Sequence, residues 1–473
     1  MTDPGNDPGN ESPRRPPVAA NSGAVGIVGL DLNSSEEIPR RRVWSWAMWD
    51  WATQPFNTVI VTFVFTSLYL TTDVFLDPAV AALADDSAQK KAGLADLASG
   101  LGVAVALAGL SIAILAPVLG QRSDAAGRRK RWLLINTAAL ALVTGLLFFV
   151  EATPSFFVLG VSLVGIGTVL NELAGVNYNA MMVQVATPRT VGRVSGLGWG
   201  FGYVGGIIAL VIVIVANGSD WFGLPQEGGL PFRLVAVGCA LWTVIFTIPY
   251  VLWVPEFKST VKQPRVSFFA SYGVLIRDVV ELFRRHRPTF WFLLASAVYR
   301  DGLAGVFTFG AIIAGTVFGF TFEQVVSFGI AANLIAGVST VIAGRFDDRF
   351  GPRAIIITAL VGLIVAGLVV FLLRDGGDWV FWVFGLLLTA FVGPAQAASR
   401  SLLARVTPVG REGQIFGLYA TTGRAASFLS ASLWALTIAI FSSAAFGILG
   451  IMLVLLFGLV LMLLVRLPRL TTS

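Results

Sequence analysis

From Arg40 onward the chain runs in apolar stretches about twenty residues long, separated by short breaks of turn-forming and charged residues. Twelve stretches are long enough to cross a bilayer as helices: approximately 44–70, 97–118, 132–150, 156–178, 194–216, 232–253, 289–318, 325–343, 354–373, 379–399, 414–438 and 444–465. The breaks carry turn chemistry, as in Thr153-Pro154-Ser155, Asn217-Gly218-Ser219-Asp220 and Arg374-Asp375-Gly376-Gly377-Asp378. Residues 1–40 hold no such stretch. They open on a doubled Asp-Pro-Gly-Asn and continue through Pro13, Pro16 and Pro17, the composition of a disordered tail.

Composition sharpens this into an all-α membrane protein. Apolar residues make up 56% of the 473, charged residues 13%, and mean hydropathy is +0.79. A soluble domain carries about 25% charged residues. The net charge of +6 sits in short basic runs between apolar stretches, which argues against a nucleic-acid partner. With both termini in the cytoplasm, 27 of the 33 Lys and Arg fall on inward segments and four (Lys90, Lys91, Arg233, Arg374) on outward ones. That bias predicts an N-in, C-in topology. One cysteine, Cys239, excludes an internal disulfide, and one histidine, His286, leaves no imidazole metal site. No Walker loop is present, so no metal, no cofactor, no catalytic residue and no enzyme activity are expected.

The two halves repeat each other. Gly120-Gln-Arg-Ser-Asp124-Ala-Ala-Gly127 matches Gly344-Arg-Phe-Asp-Asp348-Arg-Phe-Gly351 at an offset of 224, which also sets Glu172 against Gln396. Gly192 with Gly196-Leu197 matches Gly413 with Gly417-Leu418 at an offset of 221. The expected organisation is a cytoplasmic tail over 1–40, a six-helix bundle over 41–254, a cytoplasmic linker over 255–288, a second bundle over 289–467 and a tail over 468–473. In a duplicated bundle the solute sits near mid-membrane where the halves meet. Within the linker, Phe268, Tyr272, Leu275, Ile276, Val279, Leu282 and Phe283 recur at helical spacing opposite Arg277, Asp278, Glu281, Arg284 and Arg285. This is an amphipathic helix, lying either on the cytoplasmic leaflet or against the protein.

Gly120-x-x-x-Asp124-x-x-Gly127-Arg128-Arg129-Lys130, on an inward loop and duplicated after the eighth span, resembles the signature loop of the major facilitator superfamily. More narrowly, the chain resembles the vacuole-effluxer branch, which includes fungal vacuolar amino-acid exporters and bacterial relatives. The residues that carry this are Trp49-Asp50-Trp51-Ala52, Arg193-Val194-Ser195-Gly196-Leu197-Gly198-Trp199, Asp301-Gly302, Asp347-Asp348-Arg349-Phe350-Gly351, Gln396-Ala397-Ala398-Ser399-Arg400-Ser401 and Thr422-Gly423-Arg424-Ala425. The resemblance implies a secondary transporter with two six-helix bundles, working by alternating access, and suggests amino-acid efflux. The chain departs from the usual Tyr-Asp-Trp-Ala-Asn-Ser-Ala-Phe at Thr53-Gln54-Pro55-Phe56, and from Asn-Asp-Gly at Arg300-Asp301-Gly302.

A charge within the hydrocarbon core costs at least about 2.5–3.5 kcal/mol, so each one needs a partner or a purpose. Arg300 or Arg424 is expected to hold an anionic group of the solute, with Asp301 as counter-charge or proton acceptor. An internal Arg424–Asp301 pair is the structural alternative. Asp50 either cycles protons or forms a gate ion pair with an inward-loop arginine, among tryptophans (Trp44, Trp46, Trp49, Trp51) that read as an interfacial belt. Gln54, Asn57, Asn333 and Gln396 are candidates to hydrogen-bond the solute. Gating is assigned to Gly120, Asp124, Gly127, Arg128, Arg129, Glu172, Gly344, Asp348, Gly351 and Arg353. In this scheme Asp124 and Asp348 cap helices of the opposite half, and Glu172 pairs with Arg122 or Arg129. The expected partners are a small-molecule solute, protons and the lipid bilayer; the expected state is a monomer in the cell membrane. Exporters of drugs or lipid-like amphiphiles and a non-transporting receptor remain as alternatives.

Overall fold

The structure, a computed structural model, describes residues 38–85, 87–256, 267–408 and 410–465, without the side chains of 268, 278, 322, 323 and 326. The expectations for most of the 1–40 tail and for the 468–473 tail therefore lie outside the described residues. Fourteen longer helices, numbered here in chain order, make up the body. They are α1 (Arg40–Pro55), α2 (Ala88–Ala126), α3 (Arg129–Leu146), α4 (Phe157–Ala180), α5 (Val191–Gly218), α6 (Leu230–Trp253) and α7 (Phe268–Arg285). The second half holds α8 (Arg287–Thr316), α9 (Phe322–Phe350), α10 (Pro352–Leu372), α11 (Leu386–Val406), α12 (Glu412–Ala426), α13 (Leu429–Phe441) and α14 (Gly447–Leu464). Among the described residues no β-strand occurs.

Among the described residues eleven helical segments are long and apolar enough to cross a membrane, and the first span supplies the twelfth in broken form. Pro55 has no N–H to continue the helix. Beyond it, Phe56–Phe63 and Thr66–Leu70 are wound into wider π turns. The hydroxyls of Thr62, Thr66, Ser67 and Thr71 each donate to the carbonyl five residues back, at 2.7, 2.7, 2.8 and 3.0 Å, which stitches that wider winding. The eleventh span is broken too, between α12 and α13 at Ser427–Phe428. The second span reaches well beyond 97–118. Ser87 caps its start at Lys90 N–H (3.2 Å), and Gly127, in the left-handed region at φ 60°, ends it.

Helices α1–α6 and α8–α14 form two bundles. They meet where α5 packs on α9 and α2 packs on α12, with α4 against α12 and α11 against α5 as supports. The two principal contacts exchange under the internal repeat. Both rest on glycines: a Cβ on Gly120 would collide with the carbonyl oxygen of Gly413, and one on Gly344 would lie 2.7 Å from that of Gly192. Side chains such as Leu142, Ile212, Val244 and Leu372 stay exposed on the outer faces, as a lipid-facing surface requires.

Candidate functional site

A cavity of about 300 Å³ lies between the bundles, lined from one side by α1, α4 and α5 and from the other by α8, α11 and α12. Its base is a buried knot. Arg400 of α11, 4% exposed, donates Nη1 to Asp50 of α1 (3.3 Å) and to Asn179 Oδ1 (3.1 Å). It also donates Nε to Ser195 Oγ (3.0 Å) and Nη2 to the Ser195 carbonyl (2.6 Å). Tyr178 Oη donates to Asp50 at 2.9 Å. The rings of Trp46, Tyr178 and Trp199 stand 5.3–5.6 Å from the guanidinium. Such a cage suits a planar, weakly hydrated cation.

These contacts revise the reading of the tryptophans. Trp46 and Trp49 are buried and stack on Tyr178 at 4.2 and 4.4 Å, and Trp49 Nε1 donates to Thr137. Trp51 stacks on Trp242 instead. Only Trp44, 52% exposed, has the position of a belt residue. A helix one turn longer toward Arg40 draws the others into the bundle.

Arg300 lines the cavity. Its guanidinium lies 3.7 Å above the Tyr419 ring, and Nη1 donates to the Tyr419 carbonyl at 3.0 Å. No carboxylate comes within ion-pair distance of it among the described residues. Adjacent Asp301 points elsewhere, as a 100° helical step demands. It is 6% exposed, and its Oδ2 accepts from Ser430 N–H (2.6 Å) at the start of α13. The alternative Arg424–Asp301 pair is not formed among the described residues, because Asp301 satisfies the helix end exposed by the break between α12 and α13.

Arg424, which is not among the residues lining the cavity, instead meets the cavity-lining Glu172 at 3.3 Å, each about a third exposed. The expectation that Glu172 pairs with Arg122 or Arg129 is thereby corrected: Glu172 lies in mid-helix on α4 and faces the opposite bundle. Gln396 accepts from Tyr203 Oη (2.9 Å), and Asn57 accepts from Asn171 Nδ2 (3.1 Å). Gln54 also lines the cavity. Asn333 does not: its amide donates to the Gly329 carbonyl one turn back on α9 (2.8 Å).

Below the cavity two junctions join the halves. Asp124 accepts from Gly413 N–H (3.0 Å) and Gln414 N–H (2.9 Å) at the start of α12, and from Arg129 Nε (2.6 Å). Arg129 continues to Glu412. In the repeat-related place, Asp348 accepts from Gly192 N–H (2.7 Å) and Arg193 N–H (3.1 Å) at the start of α5. A carboxylate there is held by unpaired N–H groups and the positive end of the helix dipole. Gly127 and Gly351, both at positive φ, turn the chain after each junction. Arg353 is not part of this arrangement. It is the repeat mate of Arg129, yet it donates to the Leu463 carbonyl (2.9 Å), while Arg405 pairs with Asp347 and Asp348 at 3.2 and 3.3 Å. Arg128 is exposed.

Arg400, Asn171, Tyr178, Asn179, Tyr203, Arg405 and Glu412 carry these contacts, and none was singled out from the sequence for such a role. For Arg400 a signal existed, since it sits in the Gln396–Ser401 motif. Among the described residues no cluster of three His, Cys, Asp or Glu could hold a metal ion.

The fold matches solved transporters of the major facilitator superfamily. The proton:xylose symporter XylE superposes with a TM-score of 0.66 at 16% identity, covering 90% of this chain and 96% of its own. FucP in the outward conformation gives 0.65 at 14% identity, covering 91% and 99%. In sequence, the chain is 24% identical over 427 residues to the uncharacterized MFS-type transporter YxiO of Bacillus subtilis, covering 88% of this chain and 93% of that one. Autophagy-related protein 22-1 of Neosartorya fischeri is 27% identical over 280 residues, which is 51% of this chain and 44% of the fungal protein. The family described as vacuole effluxer Atg22 like matches residues 39–472. With two repeat-related bundles around a shared polar cavity, this chain belongs to the Atg22-like vacuole effluxer family and is a multi-pass transporter of the major facilitator type, not an enzyme.

Proposed function

We propose that the chain moves a small polar solute bearing an anionic group across the membrane by alternating access, with Arg300 receiving that group. The observation that carries this reading is the unpaired cation. Asp50 is engaged by Arg400 and Glu172 by Arg424, so the cavity region keeps one positive charge in excess, on Arg300. A cation–π contact worth about 0.5–2 kcal/mol and one carbonyl bond hold the guanidinium in place. Most of its five donors remain for a carboxylate. Gln54, Asn57 and Gln396 supply neutral bonding around it. Efflux is the direction this reading favours, because the matching family is described as a vacuole effluxer, and amino acids are its favoured solutes because each carries the carboxylate that Arg300 would take.

The Asp124 and Asp348 junctions serve as the latches of the inward side in this reading. They must part for the cavity to open there, since both bind backbone of the opposite half. Glu172, a third exposed and paired across the bundles with Arg424, is the proton carrier in this reading. A monomer in a cell membrane is the setting this reading takes, and the long match to the Bacillus protein favours a bacterial one.

The test is counterflow in proteoliposomes with labelled amino acids, amines lacking a carboxylate, and lipophilic cations. Exchange of carboxylate-bearing solutes only, lost in Arg300→Gln, is expected. Exchange of amines or lipophilic cations at equal rate would sink the anion site and favour an amphiphile exporter, and no exchange with any probe would favour a receptor.

A further inference from the structure

The linker helix α7 has a face that the transport reading does not use. Residues on a helix turn by about 100° per step, which sorts its side chains into three arcs. Ser271 and Leu282 are buried and Tyr272, Leu275 and Val279 half-buried, so this arc faces the protein. Beside it, Phe283, Ile276, Phe269 and Val280 fill an arc of about 60°. They are 42%, 67%, 84% and 43% exposed. Arg284 and Arg277 follow at the edge of that arc, also exposed.

A helix that only bridged two bundles through water would show a polar outer face. Here the outer face is apolar with a row of cations along one side, the pattern of a helix lying in a membrane interface. The stripe is also continuous with outward-facing surface of the spans. The Phe283 ring lies 5.1 Å from Phe290 and 6.3 Å from Trp291 of α8, and Trp291 and Leu294 are exposed. Near the other end, Tyr272 Oη donates to the Ile114 carbonyl of α2 (3.4 Å), beside an exposed Ile114 side chain. Glu281, the acid on this side, is taken up by Arg285 and Arg411 at 3.8 and 3.7 Å. Among the described side chains no ion pair involves Arg277 or Arg284, which leaves both for an external anion.

We propose that α7 docks on the cytoplasmic leaflet, with Phe269, Ile276, Val280 and Phe283 among the acyl chains and Arg277 and Arg284 on anionic phospholipid headgroups. Basic side chains at that level are attracted by the negative potential of an anionic leaflet. The helix touches α2 of one bundle and α8 of the other, so the bound leaflet braces both.

The test uses the full chain in nanodiscs with an environment-sensitive fluorophore on Ile276→Cys, and on Arg285→Cys as the water-side control; Cys239 is buried. The expected result is strong quenching of the Ile276 label by acyl-chain doxyl lipid and little by iodide, with the reverse at Arg285. Iodide quenching at Ile276 overturns the proposal by placing the stripe in water. Shielding from both quenchers overturns it by showing a protein cover. For the headgroup half, phosphatidylglycerol is expected to raise the melting temperature above that in phosphatidylcholine, and Arg277→Gln with Arg284→Gln to remove most of that rise. The melting temperature in phosphatidylcholine alone should stay unchanged and so report intact folding. An undiminished rise in the double variant, or an equal rise from inorganic phosphate in solution, overturns the anionic bilayer as the occupant.

Discussion

Glu172 on α4 meets Arg424 on α12 at 3.3 Å, and the positions related to them by the internal repeat, Gln396 and Tyr203, meet at 2.9 Å. Tyr203 and Arg424 stand 221 residues apart, the same offset that relates Gly192 to Gly413. One contact between the bundles is therefore an ion pair and its mirror is a neutral hydrogen bond. In this pair of contacts charge resides on one side of the pseudo-axis only, and the proposed proton coupling is assigned to that charged contact.

Glu172→Gln makes both contacts neutral. A pair this exposed is worth about 1 kcal/mol or less, so folding should survive. Proton-driven uptake is expected to fall by roughly tenfold or more, an effect of about 1.4 kcal/mol on the driven step. Counterflow, which needs no net proton movement, should persist. Full proton-driven rates in this variant would remove Glu172 from coupling.

Arg400 behaves differently because it is buried and bonded to four groups on three helices of the other bundle. Arg400→Ala leaves the half-buried Asp50 with one remaining donor, Tyr178. Losing one member of a buried pair costs about 3–5 kcal/mol. A large drop in melting temperature with loss of transport is expected. Arg400→Lys should restore little of either, since an ammonium cannot reach Asp50, Asn179 and both Ser195 acceptors in one plane. Rescue by lysine would mean that charge alone matters at this point. Gly198→Ala tests the same knot from another side: a Cβ there would lie 2.8 Å from Arg400, Asp50 and Tyr178 atoms.

Asp124→Asn and Asp348→Asn keep an acceptor oxygen but lose the charge at a helix start, worth about 0.3–2 kcal/mol each, and with it the ion pairs to Arg129 and to Arg405. Spin labels on Ala126→Cys and Arg349→Cys, exposed positions beside the two junctions, report their separation. Each substitution should shift the distance distribution to longer values, and the double variant further than either. Identical distributions in all four proteins would show that the junctions do not bias the opening.

Much of this architecture is written in periodicity. The spans, their orientation and the duplicated Gly-x-x-x-Asp loops follow from hydrophobic length and charge placement, which act locally along the chain. The helix caps made by Asp124 and Asp348 were legible for the same reason, because repeat positions exchange under a two-fold relationship. What escaped was pairing between distant helices. Nothing in the chain links residue 400 to residue 50, and the partner of Glu172 depends on how α4 faces α12. Arg353 was placed by symmetry, and symmetry fails there because Arg405 reaches Asp348 from α11 without a matching cation in the first half. The partner of Asp301 escaped because the break at Ser427–Phe428, which frees the Ser430 N–H, leaves no Pro or Asn-Gly signal in the sequence.

That last correction separates neighbours on one helix. Asp301 accepts a charge-assisted bond from the start of α13, worth about 1.5–3 kcal/mol, while Arg300 faces the cavity with no carboxylate partner among the described residues. Asp301→Asn should therefore lower the melting temperature and leave the solute KM nearly unchanged. Arg300→Gln should do the opposite: it removes no ion pair, so stability should change by less than about 1 kcal/mol, while KM for a carboxylate solute rises roughly tenfold or more. Measuring both quantities for both variants gives a crossed result that neither a packing role for Arg300 nor a transport role for Asp301 can produce. If Asp301→Asn abolishes exchange at full stability while Arg300→Gln transports normally, the solute's anchor lies on the other face of α8.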